Sequence, residues 1–239
     1  MARTFTIRMA DLAIEITALY NDTYVLCSDY LADALEQPDF SIATDQASID
    51  YEREQDRLGD FPDAYYETLA VYRKIAEELP RFGRLLVHGS AVAIGERAWL
   101  FMAISGTGKS THTRWWRTEF ADEAPYMVND DKPIIRLADD GVLVYGTPWD
   151  GKEHLSTNTC VQLAGIGLLE RAEEDWAQPA DAWTSFSELM RFTYRPFDAA
   201  AARATIQTLL AVSERVPLYR VGVTDSAHAA HVTRAAMAI

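Results

Sequence analysis

The ten residues Ile104 to Thr113, "ISGTGKSTHT", constrain this chain more than any others. Glycines at 106 and 108 let backbone N–H groups converge on one point, Lys109 adds a cation able to reach a terminal phosphate, and Ser110 offers a hydroxyl to a divalent cation. An apolar segment, "AWLFMAI", runs directly into the stretch, and "KSTHTRWWRTEF" has the pattern of a helix leaving it. Strand, glycine-rich loop and helix in that order aim the positive end of a helix at whatever the loop encloses. The expectation is phosphate binding by Ser105, Gly106, Thr107, Gly108, Lys109, Ser110 and Thr111, with a ligand-free strand-to-helix turn as the ordinary alternative. Ala103 stands where such a loop opens with glycine. Its methyl group matters only if that position needs positive φ or very close backbone approach, because the phosphate contacts come from later residues.

The rest of the chain supplies a setting for this loop. "TFTIRMA" and "LAIEITA" alternate apolar and polar residues as half-buried strands do, and "DYLADALEQ" reads as a short helix. Gly and Pro punctuate "DRLGDFPD", Asp56 to Asp63, which marks a joint. The clearest helix follows in "AYYETLAVYRKIAEELP", with Leu69, Tyr72, Ile75, Ala76 and Leu79 on one face and Pro80 as its stop. From Arg84 short apolar strands take over in "RLLVH", "SAVAIG" and "AWLFMAI", the last two joined by a tight "GER" turn. "PYMVN" reads as a further strand and "KPIIRLADDGVLVYG" as a hairpin turning on Asp140-Gly141. The last third reads as mainly helical, through "WTSFSELMRF", "ATIQTLLAVSERV" and "DSAHAAHVTRAAMA", with one strand, "PLYRVGV". The order predicts an α/β protein: an N-terminal α+β lobe over residues 1–80, and over 81–239 a P-loop core with a mixed sheet and a helical C-terminal third.

A formal charge of -14, from 22 basic and 36 acidic residues, argues against non-specific attachment to nucleic acid or anionic membrane, both of which need clustered Lys and Arg. An anionic ligand must be held locally. Cys27 and Cys160 lie far apart and outside any C-x-x-C pattern, so both read as reduced, packed thiols rather than as a disulfide or zinc ligands. Charges interrupt every short window of "MARTFTIRMADLAIEITALY", and no later run reaches about 18 apolar residues, so the expected setting is cytoplasmic.

Phosphate binding alone is not a reaction, and "VNDDKP" carries the best candidates for chemistry. Asp130 and Asp131 end an apolar strand of the kind expected beside the phosphate-loop strand, where one carboxylate positions Mg²⁺ and the other takes a proton from an attacking hydroxyl. The plain alternative is an acidic strand end in an acid-rich protein. His88, at the end of "LLVHGS", is placed to donate to phosphate or orient an acceptor, or else is a satisfied interior histidine. "YGTPWDGKEH" presents Lys152 as a second cation for transferring phosphate, or is a surface turn around a packed Trp149. His228 and His231 have no third ligand nearby and read as surface residues. His112 and the Trp115-Trp116 pair flank or pack the first helix, an aromatic stack on a base being the other reading.

Taken in order, "HGSAVAI", "SGTGKSTHT", "NDDKP" and "GTPWDGK" resemble the HPr kinase and phosphoenolpyruvate carboxykinase superfamily, especially its small bacterial kinase-like members, over residues 84–170. The resemblance implies ATP and Mg²⁺ as cofactors, His88 contacting phosphate near the acceptor, Lys109 on the β- and γ-phosphates, and Ser110 on the metal. It gives Asp130 and Asp131 the metal and general-base roles, with Asp131 taken as the metal ligand beside Ser110 while the division between the two stays open. The Gly/Arg-rich signature that follows the aspartates in HPr kinases is missing, and "GTPWDGK" stands there instead, which disfavours HPr as substrate. The leading expectation is an ATP-dependent kinase acting on a hydroxyl of a protein, peptide or small molecule; a non-catalytic ATP-binding regulator and a nucleoside triphosphatase are the alternatives. Homo-oligomerisation stays open.

Overall fold

The computed structural model describes residues 2–33, 36–56 and 59–237. The chain divides into two compact units, Met1–Leu79 and Pro80–Ile239.

In the first unit, β1 (Arg3–Met9) and β2 (Leu12–Ala18) form an antiparallel hairpin. Its two-residue turn, Ala10 and Asp11, has both φ angles positive at 52° and 59°, the geometry whose twist matches that of the strands it joins. α1 (Asn21–Leu26) follows, and β3 (Phe40–Ala43) then pairs parallel with the other edge of β2. α2 (Gln46–Gln55) is capped by the Asp45 carboxylate, which accepts from Ser48 N at 2.9 Å. The "DRLGDFPD" stretch joins α2 to α3 (Asp63–Glu78) inside this unit. Its residues 57 and 58 lie outside the described ones, and the Tyr66 hydroxyl holds its middle, donating to Gly59 O at 2.9 Å and accepting from Phe61 N at 3.2 Å.

Two expectations need correction here. Asp29 and Tyr30 of the expected "DYLADALEQ" helix sit in a 3-10 turn and Leu31 bridges Ile7, so the strand edge claims this segment; residues 34 and 35 are outside the described ones. On α3 the covered face is Tyr66, Glu67, Ala70, Val71, Ile75 and Ala76, whereas Leu69 and Tyr72 are only half-buried. The face is rotated because Glu67, a charged residue, is fully buried within it.

The second unit is a nine-stranded mixed sheet with helices on both faces. Its strands are β4 (Arg84–Leu86), β5 (Ser90–Ile94), β6 (Arg97–Met102), β7 (Tyr126–Asn129), β8 (Ile134–Ala138), β9 (Gly141–Tyr145), β10 (Cys160–Arg171), β11 (Trp176–Pro179) and β12 (Leu218–Val223). The order is β4-β8-β9-β10-β6-β5-β7, with β12 parallel to the later half of β10 and β11 on β12. The helices are α4 (Lys109–Glu119), α5 (Ala182–Phe192), α6 (Ala199–Arg215) and α7 (Ala227–Ala236). Leu189, Leu209 and Val212 of α5 and α6 cover one face of the sheet, where Leu100, Ile166 and Leu168 point. Trp116 of α4 and Ala229 and Ala230 of α7 cover the other, over Trp99, Phe101 and Val221.

The C-terminal third is less helical than its sequence pattern suggests, because β10, the strand between β9 and β6, and β11 both fall there. β10 shifts register between Leu163 and Gly165 and feeds both cores, Ile166 and Leu168 one and Ala164 and Leu169 the other, so its middle, Leu163 to Leu169, is apolar and shows no alternation. The hairpin of β8 and β9 forms, but its turn is Asp139-Asp140, with Gly141 the first residue of β9 opposite Ala138. β7 does not lie beside β6. The tight β5–β6 hairpin occupies that edge, and β7 pairs with β5 instead. Cys27 is buried, which pushes its thiol up to about 12, while Cys160 at the start of β10 is exposed rather than packed.

His112 and Trp116 are buried on α4, His112 edge-on to Phe101 at 4.5 Å and Trp116 donating its indole N–H to Thr233 Oγ1 at 2.9 Å, so neither is free to stack on a base. Burial lowers His112 to about 4 against an opposing pull from Asp175. The unfolded chain takes up a proton on this residue near the ordinary value of 6.5, while the folded chain refuses it until about 4. Stability present above 6.5 is therefore lost as the pH falls through 4, by an amount approaching about 3 kcal/mol from this group. Denaturant unfolding measured from pH 7 to 4 is expected to show that slope, and His112→Gln to flatten it; an unchanged slope would count against a neutral buried imidazole.

Candidate phosphoryl-transfer site

The glycine-rich loop leaves the carboxyl end of β6 and ends on α4, so strand, loop and helix occur in the expected order. Gly106 and Gly108 adopt left-handed backbone at φ 81° and 119°, which frees the loop to turn its N–H groups inward. Gly108 is the residue before α4, and no side chain caps that helix, so its first-turn N–H groups have no side-chain acceptor at the end of the loop. Ala103 is buried in the core beneath α4 and has no positive φ; its carbonyl accepts from Lys109 Nζ at 2.9 Å. The methyl group thus packs, and the opening glycine is not needed.

Around this loop the fold gathers the other candidates. Lys109 Nζ lies 3.2 Å from His88 Nε2, and burial lowers the ammonium's pKa despite the attraction of Asp131. His88 follows β4, its backbone N–H donating to Phe192 O at 2.7 Å. His88 Nδ1 lies 3.0 Å from Asp131 Oδ1 and 2.9 Å from Lys132 Nζ, and Lys132 also lies 3.5 Å from Asp131 Oδ2. Asp131 and Lys132 compete for Nδ1: with its proton there His88 donates to Asp131 and accepts from Lys109 through Nε2, and Lys132 is left to pair with the Asp131 carboxylate. Burial alone would raise Asp131, but the His88 hydrogen bond and the Lys132 charge outweigh it and hold the carboxyl below the usual range. Asp130 moves the other way: burial raises it, aided by Asp150 and Asp131 and opposed by the Gly151 N–H bonded to Oδ1 at 2.5 Å. The adjacent carboxylates are therefore set apart in proton affinity.

Asn129 shapes the bend that carries Asp131 and Lys132. Fully buried, it accepts from Asp131 N at 2.8 Å and Lys132 N at 2.6 Å through Oδ1, and donates through Nδ2 to Thr147 O at 3.1 Å and Trp149 O at 3.3 Å. The bend after β7 is thereby locked to the "GTPWDGK" turn, inside which Trp149 is buried. Gly151 faces Asp130 so closely that an added Cβ would stand 2.6 Å from Oδ2.

A cleft of about 470 Å³ collects His88, Lys109, Asp130, Asp131 and Lys152. Ser105, Gly106, Gly108, Ser110 and Thr111 complete its wall from the loop and first helical turn, while Thr107 faces two neighbouring hollows instead. His228 and His231 stand apart on α7, paired with Asp175 and Glu119 at 2.9 Å, and no cluster of three or more metal-ligating side chains occurs among the described residues. Four participants escaped the sequence reading. Asn129, Lys132 and Gly151 sit inside quoted motifs without an assigned role, and Arg171, whose guanidinium donates to Gly106 O at 2.8 Å, carries no local signal at all. It reaches the loop only because β10 runs parallel beside β6.

No helix among the described residues is long and apolar enough to cross a membrane. No protein-family model matches the sequence, and no curated protein matches it. Among solved structures, the Hpr(Ser) kinase/phosphatase from Coxiella burnetii is similar at a TM-score of 0.37 and 10% sequence identity, over 64% of this chain and 99% of that one. Likeness of that degree carries no residue-by-residue correspondence.

Proposed function

We propose that this protein binds ATP with Mg²⁺ and transfers the γ-phosphoryl group to a hydroxyl acceptor. The observation that carries the reading is the opening of Lys109, Asp130 and Asp131 onto the same cleft as the glycine loop and the uncapped first turn of α4. Loop N–H groups and Lys109 hold the phosphates, and Lys152 at the cleft's rim adds a second cation. A hollow of about 350 Å³ between Thr111 and the Val223–Asp225 turn is lined by neither Asp130 nor Asp131 and suits the nucleoside. Adenine over guanine follows from the family resemblance alone.

The carboxylates divide the work according to their surroundings. Asp130, raised by burial, is suited to accept the hydroxyl proton; Asp131, kept ionised by His88 and Lys132, is suited to a cation. Ser110 and Asp131 offer only oxygen donors and too few for a protein cage, which fits Mg²⁺, an ion that keeps waters and arrives with phosphates. When bound it neutralises phosphate charge. Asn129 fixes the Asp131 backbone, the Gly151 N–H holds the Asp130 carboxylate, and His88 spans Lys109 and Asp131 so that a cation and a carboxylate keep their spacing.

Transfer of label from γ-labelled ATP into fractionated cell extract tests the reading, with Asp130→Asn as control. Wild type is expected to label an acceptor; the variant is expected to bind ATP with little change but to transfer about a hundredfold more slowly or less. A variant as active as wild type would remove Asp130 from the chemistry. ATP binding with neither hydrolysis nor transfer would favour a regulatory module.

A further inference from the structure

Three hollows meet at the phosphate loop, and Arg171 borders all of them. The largest, about 670 Å³, has no role in the reading above. It opens beside Ser105 and Gly106, the half of the loop before Lys109, and its far wall is one side of α5, from Thr184 to Phe192. That wall is fastened to the transfer site, since the Phe192 carbonyl accepts from His88 N at 2.7 Å. Met102 and Leu168 give it an apolar floor.

Its charge is the unusual part. Arg171, Arg191 and Arg220 face it, against Glu170 and Glu188. Arg220 donates to Glu170 at 2.7 Å and Arg191 lies 3.6 Å from Glu188, so each still has guanidinium N–H groups to offer, and Arg171 spends one on the neutral Gly106 carbonyl. Three guanidinium groups against two carboxylates leave a local positive balance in a chain of net charge -14. Arginines in a half-apolar hollow of this size recognise a carboxylate on a small apolar body.

Resting on the kinase reading, we propose that this hollow holds the acceptor, and that the acceptor is a hydroxyl compound carrying a carboxylate. Its hydroxyl oxygen bonds the γ-phosphorus as the bond to the β–γ bridging oxygen breaks; ADP leaves with that electron pair, and the hydroxyl proton passes to Asp130 in the adjoining cleft, which shares Ser105, Gly106 and Arg171 with this hollow. A free hydroxy acid and a serine flanked by acidic side chains in a peptide present the same chemistry.

Ligand-observed NMR on the full chain separates these cases. The probes are 3-phenyllactate and 4-hydroxybutanoate with their methyl esters, and N-acetyl-Glu-Ser-Glu-amide with its glutamine counterpart, each with and without Mg-ADP. At least one carboxylate probe is expected to bind about tenfold tighter than its neutral partner, and the Arg191→Gln, Arg220→Gln double variant to lose that preference while keeping its ATP affinity. The series that binds names the source of the carboxylate. Equal binding of the neutral partners, a preference that survives in the double variant, or no binding by any probe overturns the acceptor class. Wild-type protein that fails to bind ATP sinks the kinase reading instead, and the nucleotide-free arm still reports on the carboxylate.

Discussion

If the loop holds ATP as proposed, replacing Lys109 by alanine is expected to lower ATP affinity about a hundredfold or more, because the proposed charge-assisted contact to phosphate would be lost at a half-buried site. The ammonium is already held at the loop's mouth, 2.9 Å from Ala103 O and 3.2 Å from His88 Nε2, so its position owes little to the ligand. With a net charge of -14 the rest of the chain cannot substitute for it by general attraction. Calorimetric titration with Mg-ATP measures the effect. Unchanged affinity in this variant would sink the assignment of the loop, whereas Asp130→Asn is expected to leave binding nearly intact, which separates holding the nucleotide from using it.

The second large effect concerns stability and lies in the first unit. Glu67 of α3 is fully buried, and its Oε1 accepts from Leu19 N at 2.6 Å and Thr44 Oγ1 at 2.5 Å. Its Oε2 accepts from Tyr20 N at 2.8 Å and, at 3.4 Å, from Thr23 Oγ1. Tyr20 precedes α1 and offers that helix no side-chain cap, so a glutamate from a distant helix holds the turn instead. Glu67→Ala leaves several buried donors without an acceptor, and the expected cost is about 4 kcal/mol. Glu67→Gln, which keeps the shape but returns one oxygen as a donor, is expected to cost about 2 kcal/mol. Denaturant unfolding of the full chain gives the loss, and faster amide exchange at Leu19 and Tyr20 locates it. An alanine variant destabilised by less than about 1 kcal/mol would mean water replaces the carboxylate.

Local chemistry made much of this protein readable. The loop, the helix leaving it, the β1–β2 pair and the extent of α3 each follow from residues adjacent in the chain, because turns, caps and amphipathic periods are short-range physics. Glu67 shows where that reading stops: a charge inside a helix counts as a solvent-facing position until its partners, 23 to 48 residues away, are known. β10 was missed for a related reason, since a strand covered on both faces loses the alternation that announces a half-buried one. The expected neighbourhood of β6 and β7 failed because strand order is a property of the sheet, and the β5 hairpin had already taken the edge.

By itself, the sequence determined the loop's chemistry: glycines that permit left-handed backbone, a lysine and a serine at its end, and two carboxylates to work with. Only the tertiary structure decided how those groups differ. Asp130 and Asp131 are the same side chain one residue apart, yet burial beside Gly151 raises one while His88 and Lys132 hold the other ionised. Proton affinity depends on which charges and dipoles surround a group in space, and those come from β4, β7 and the 147–151 turn, segments that only folding brings together.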